Sequence, residues 1–198
     1  MSALARLVEG NERFLRGERR NTDVRPETLA ELAKAQRPYV TILGCSDSRV
    51  PPEWIFDAGL GELFVVRVAG NVLSPEIAGS LQYAGSHLET PLFVVLGHEG
   101  CGAVQAALAT KPQGARQRSR IQVLVDSILP SLPDFDPRLS PDESLAQAVE
   151  CNVRHTVQQI TSTPEGQVRA AEGRMKIVGA IYELRSGRVR WLKSAPQV

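Results

Sequence analysis

Three residues carry side chains suited to a soft divalent metal: Cys45, His98 and Cys101. Cys45 opens Cys45-Ser46-Asp47-Ser48-Arg49, directly after the apolar run Tyr39-Val-Thr-Ile-Leu-Gly44. His98 and Cys101 stand in Gly97-His98-Glu99-Gly100-Cys101-Gly102, directly after Pro91-Leu-Phe-Val-Val-Leu96. Two thiolates and one imidazole form a three-ligand zinc set of the kind used in catalytic sites, where a fourth position is kept for water. Their softness favours zinc over magnesium or calcium. Gly97, Gly100 and Gly102 are expected to permit a sharp strand-to-helix turn, so that both ligands of the His-x-x-Cys segment face one metal.

Taken singly, a cysteine is ordinarily a small core residue, and a histidine is ordinarily hydrogen-bonded structure. A cysteine followed by an aspartate and an arginine fits that ordinary role poorly. Cys151 and His155 form a second pair at helical i, i+4 spacing. No third ligand is near them in sequence, so they read as part of a buried helix face. His87 has no reactive neighbour and is assigned no role.

The ligands converge only if the segments before them are adjacent strands. Tyr39–Gly44, Leu63–Val68, Pro91–Gly97 and Lys176–Leu184 are short runs rich in β-branched and apolar residues, each predicted as a strand. The first three lack clean alternation, as in a sheet covered on both faces. A turn at Arg185–Arg188 followed by Val189–Leu192 predicts a hairpin and an antiparallel edge strand. Helices are predicted over Leu4–Leu15, Thr28–Ala35, Pro75–Leu88, Gly102–Leu108, Ile121–Leu129 and Pro141–Ile160. The stripe on Leu4–Leu15 suits packing on its own domain or on a partner chain. Lys111–Arg120 reads as an exposed basic loop, and the proline-rich Pro130–Pro141 as a rigid connection. The expected fold is therefore α/β: a mostly parallel central sheet of about four strands plus an antiparallel edge strand, flanked by helices. In such a sheet, ligands bind at the carboxyl ends of the strands.

Composition sets the frame. The chain has 198 residues, 42% hydrophobic and 23% charged, with a formal net charge of +1. It is expected to form a single domain over 1–198, with an N-terminal helical arm over about 1–35. Balanced charge gives no case for a nucleic-acid or anionic-membrane partner. No run approaches the ~20 apolar residues of a membrane span. Three cysteines make a poor disulfide framework. A cytoplasmic location is the expectation.

The paired motifs Cys45-Ser-Asp-Ser-Arg-Val50 and Gly97-His-x-x-Cys-Gly102 resemble those of the β-class carbonic anhydrases. Gly61-Glu-Leu-Phe-Val-Val-Arg67, Asn71, the helix of Tyr83 and Val178-Gly-Ala-Ile-Tyr-Glu-Leu184 are similar to the family as well. The resemblance implies an enzyme with one zinc per chain that hydrates carbon dioxide reversibly, by attack of zinc-bound hydroxide, to bicarbonate and a proton. It implies Cys45, His98 and Cys101 as zinc ligands. It also implies that Arg49 holds the Asp47 carboxylate off the metal, a bidentate task for which guanidinium is suited. Asp47 is then free to orient the attacking oxygen.

One kind of family member has a bicarbonate pocket that locks an inactive state, marked by a tryptophan three residues before the first cysteine ligand. Ile42 stands at that position here. The other kind has a glutamine nine residues before it, as Gln36 is here. The chain thus resembles the Gln-containing, open-site type, with Gln36, Phe64, Tyr83 and the backbone near Gly102 as the implied substrate-pocket residues. Val68-Ala69-Gly70 departs from the Asn-Val/Ile-Ala of many members. The resemblance also implies a homodimer or dimer of dimers. Two thiolates leave less positive charge on zinc than three imidazoles do, so activity is expected to rise between pH ~7 and ~9. Two alternatives stay open at this level: hydrolysis of carbon disulfide or carbonyl sulfide, and a structural zinc with Asp47 as a fourth ligand.

Overall fold

Five strands form one sheet in the order β2-β1-β3-β4-β5. They are β1 (Val40–Gly44), β2 (Leu63–Arg67), β3 (Leu92–His98), β4 (Lys176–Tyr182) and β5 (Val189–Trp191). The first four pair in parallel and β5 pairs antiparallel to β4. The helices are α1 (Ala3–Arg16), α2 (Pro26–Leu32), α3 (Pro52–Ile55), α4 (Pro75–His87), α5 (Gly102–Thr110), α6 (Ile121–Ile128), α7 (Pro141–Thr161) and α8 (Pro164–Ala171). The computed structural model describes residues 1–20, 24–111, 119–134 and 136–193.

At β1 and β3 the sheet is buried on both faces, which is why these strands lack alternation. On β3, Leu92, Val94 and Leu96 pack with Leu7 of α1 and with Ile55 and Phe56. Phe93 and Val95 point the other way, into a core with Val104 of α5 and Val149 and Val153 of α7. Each fully buried side chain of this size contributes about 1.5–3 kcal/mol of hydrophobic stabilisation. Gly97 serves this packing rather than a turn. A Cβ there would meet Val153 Cγ2 at 2.5 Å, so glycine lets α7 lie close on β3. Of the three glycines expected to shape the His-x-x-Cys turn, only Gly100 has a positive φ, 65°.

The amphipathic first helix packs on its own domain. Leu7 is fully buried. Asn11 donates to the Ile55 and Gly187 carbonyls at 3.2 and 2.9 Å and accepts from the Val189 amide at 3.0 Å, tying α1 to the far hairpin. Helix α7 starts at a capping box formed by Ser140 and Glu143.

The predicted second helix begins earlier than expected, at Pro26, where proline suits a first helical position. Helices α3 and α8 were absent from the sequence reading. Each is short and opens on a proline at the first helical position. Residues 112–118 of the predicted basic loop lie outside the described residues. The Pro130–Pro141 connection, described except at residue 135, is fastened where Lys111 Nζ donates to the Leu132 and Pro133 carbonyls at 2.8 and 2.7 Å.

Candidate metal centre

Strands β1 and β3 are neighbours, with Gly44 opposite Leu96. Cys45 therefore leaves β1 beside the end of β3, where His98 is the last residue, and Cys101 caps the start of α5. The ligand atoms of Cys45, His98 and Cys101 all lie within 4.8 Å of one another. All three residues are buried, His98 completely.

The imidazole is oriented for coordination. His98 Nδ1 lies 2.9 Å from the Glu99 carbonyl oxygen. A carbonyl only accepts, so Nδ1 carries the hydrogen and the lone pair is on Nε2. That Nε2 is buried and has no hydrogen-bond partner. An orphaned acceptor in a core is costly, and a cation between it and two sulfurs removes the cost. The two thiols are unequal without a metal. The adjacent Cys101 thiol draws Cys45 down, against the effect of burial, while Cys45 and burial push Cys101 up. Two sulfurs this close suit a shared dication, whose binding displaces the protons they carry.

Asp47 sits at the open side of this group. Arg49 Nε donates to Oδ1 at 2.9 Å, Nη2 to Oδ2 at 2.7 Å, and the Arg49 amide to Oδ1 at 2.9 Å. These bonds, chiefly those of the guanidinium, hold the Asp47 carboxyl well below the usual carboxylate range. Asp47 Oδ2 is 3.8 Å from His98 Nε2. Gly102 follows Cys101 as the first residue of α5, and the space beside its Cα is open.

Phe64, Tyr83 and Gln36 are not brought to this group within the chain. Phe64 lies opposite Thr41 on β1. Thr41 is four residues before Cys45, about 13 Å at the rise of a strand. The Tyr83 ring lies 6.2 Å from that of Phe64 and stacks on His87 at 4.8 Å. His87, assigned no role from sequence, thus belongs to an aromatic group at the other end of β2. Gln36 is exposed between α2 and β1. Cys151 and His155 gain no third ligand among the described residues.

Two contributors escaped the sequence reading. Arg67, at the end of β2, donates from Nε to the Cys45 carbonyl at 2.9 Å and from Nη2 to the Asp47 carbonyl at 2.6 Å. Its signal was a lone charge closing an apolar strand. Asn152 donates from Nδ2 to the Gly70 carbonyl at 2.8 Å, and the Gly70 amide donates to Cys45 Sγ at 3.4 Å. Its signal was a lone amide on the apolar face of α7, beside the more conspicuous Cys151.

Comparison with known proteins agrees with this geometry. A family described as carbonic anhydrase matches residues 40–189. Carbonic anhydrase 2 of Mycobacterium tuberculosis is 38% identical over 192 residues, which cover 95% of this chain and 90% of that protein. A carbonic anhydrase of Mycolicibacterium smegmatis is 38% identical over 194 residues, covering 96% and 91%. The solved β-carbonic anhydrase of Coccomyxa, in complex with acetazolamide, superposes with a TM-score of 0.76 at 27% identity, over 97% of this chain and 87% of that one. With the family matched across most of its length and its paired cysteine and histidine motifs gathered at one sheet edge, the chain belongs to the β-class carbonic anhydrases and is an enzyme of that family.

Proposed function

We propose that the chain catalyses the reversible hydration of carbon dioxide to bicarbonate and a proton, with one zinc ion held by Cys45, His98 and Cys101. The observation that carries this reading is the buried triad of ligand atoms within 4.8 Å, flanked by a carboxylate that Arg49 restrains. Zinc, when bound there, supplies the acidity that makes water a nucleophile near neutral pH. The chain's own groups do the rest. Arg49 keeps Asp47 from closing the fourth position. Asp47 accepts a hydrogen bond from the nucleophile and orients it toward the carbon. The backbone amide of Gly102, at the start of α5, polarises a substrate oxygen.

The site reads as the open type, because Ile42 stands where the lockable members carry a tryptophan and Gln36 stands nine residues before Cys45. It is completed by a second copy of the chain. Gln36, Phe64 and Tyr83 lie too far from their own Cys45 to line its pocket. Tyr83 is 46% exposed and Leu60, just before β2, is 53% exposed. Strand β2 is also an edge of the sheet. A partner docked on that edge covers apolar surface and receives these side chains. A cytoplasmic location, where thiols stay reduced, suits ligands of this kind. Among the described residues no helix is long and apolar enough to cross a membrane.

Stopped-flow measurement of carbon dioxide hydration, with zinc counted per chain, tests the reading. One zinc per chain is expected, with activity lost to a chelator and restored by zinc. Hydration that survives complete removal of the metal overturns it.

A further inference from the structure

Gly70 and Asn71 form a sharp backbone corner, at the two residue types that adopt it most readily. Their φ angles are 73° and 45°, two successive residues in the left-handed region. At Gly70 a Cβ would meet Ile128 Cδ1 at 2.8 Å. This corner presents the Gly70 amide to Cys45 Sγ at 3.4 Å. What fastens it from the far side is Asn152 of α7, 1% exposed, through the 2.8 Å bond from Nδ2 to the Gly70 carbonyl.

Asn152 is an expensive residue for packing alone. Its Oδ1 is buried with no hydrogen-bond partner. A leucine fills similar volume without leaving an orphaned acceptor in the core. The residue makes sense if the single donor it provides is required. That donor fixes Gly70, and Gly70 touches a sulfur.

We propose that Asn152 is a positioning residue for the metal centre: by holding Gly70 it fixes the amide that hydrogen-bonds Cys45 Sγ, and so sets the aim and the charge of that sulfur. The inference rests on the reading of Cys45 as a metal ligand. An N–H donated to a thiolate draws charge from it and restricts its direction. Outer partners of this kind orient ligands and tune metal affinity, and their loss typically costs 10–100-fold.

The test is cobalt(II) binding to metal-free protein, followed by the thiolate-to-cobalt charge-transfer absorption and by competition with a chromophoric chelator. Asn152→Leu is expected to bind cobalt roughly 10–100-fold more weakly, with a displaced charge-transfer band. Ile160→Ala opens a cavity on the same helix, far along from Asn152. It is expected to lower the melting temperature while leaving band and affinity as in the parent chain. Asn152→Ala carries the same expectation as the leucine variant and keeps the test open should that variant not fold. A parent-like band and affinity in an Asn152 variant overturn the inference. Cobalt bound by the parent chain with no thiolate band overturns the ligand reading instead, so the two failures are distinct.

Discussion

Arg49 closes on both carboxylate oxygens of Asp47, at 2.9 and 2.7 Å, while Oδ2 of that same carboxylate stands 3.8 Å from the lone-pair nitrogen of His98. Asp47 is thus within a small rotation of the Cys45, His98 and Cys101 ligand atoms, and the Arg49 guanidinium is the chief restraint that turns it away, with the Arg49 amide beside it. Arg49→Ala is expected to release it onto the metal. Carbon dioxide hydration should fall by at least about 10–100-fold, the usual cost of losing an outer partner. Metal content should stay at the parent level. Arg49→Lys should recover little, because an ammonium lacks the planar fork. Stopped-flow rates with zinc quantified in each variant check this. Parent-like activity in Arg49→Ala would mean that Asp47 needs no restraint.

Asp57 joins the first helix to the rest of the protein and gives the fold an acid limit. Its side chain is 2% exposed and takes a 2.6 Å bond from Arg13 Nε and a 2.9 Å bond from the Arg20 amide. Burial pushes its carboxyl up, but these donors and the Arg13 and Arg20 charges together outweigh burial and leave it lowered. A carboxyl lowered in the folded state contributes stability that is complete above the unfolded value of about 3.9 and is lost as pH falls through the folded value. Metal-free protein should therefore lose stability below about pH 4. Asp57→Ala should cost about 1.5–3 kcal/mol at neutral pH, since the arginines it leaves are partly exposed, and flatten that acid slope. Urea unfolding from neutral pH to about pH 3 reads both effects. An unchanged slope in the variant would assign the acid loss to other carboxyls.

Much of this architecture was legible in the residues. β1 and β3 were readable because a strand buried on both faces needs an unbroken apolar run, and both runs end at reactive residues. Their adjacency was a condition of the reading, and it is met by the strand order β2-β1-β3, which neither run encodes alone. What escaped was set by close tertiary approach. Gly97 looked like a turn residue and is a packing glycine, because only α7, far along the chain, supplies the Val153 methyl that a Cβ would strike. Helix α3 has four residues, too few for any periodicity to show. The expectation of Phe64 as a pocket residue came only by likeness. Register on β1 decides its distance from Cys45, and register is invisible in a single strand's sequence.

The identity of Ile42 bears on regulation. It is fully buried, in the core that contains Leu7 and Phe56 on the α1 side of the sheet, whereas Cys45 belongs to the core on the other side. A small aliphatic side chain in that position offers no indole N–H to an anion. Bicarbonate is therefore expected to inhibit hydration without cooperativity. Initial rates across a bicarbonate series should fit a simple hyperbola. A sigmoidal series, with Hill behaviour above one, would place the chain with the lockable members instead.

Phe64 lies about 13 Å along the sheet from its own Cys45, by the register of β1 with β2, and the Tyr83 ring packs 6.2 Å from that of Phe64. If a second copy supplies them, ligands and pocket come from different chains, and mixing makes this measurable. One parent carries Cys45→Ser and has no complete metal site. The other carries Phe64→Ala and Tyr83→Ala and has intact ligands but no aromatic wall. Each alone should be nearly inactive. Co-refolded, half of the sites in a mixed dimer pair intact ligands with an intact wall, and the others lack both. With random association, half of the dimers are mixed, so activity should rise to roughly a quarter of the parent enzyme's per site, an estimate that assumes subunits stay associated during assay. No gain on mixing, with mixed dimers verified by mass, would mean that each chain builds its pocket from its own residues, and that β2 shifts on assembly to bring Phe64 to its own Cys45.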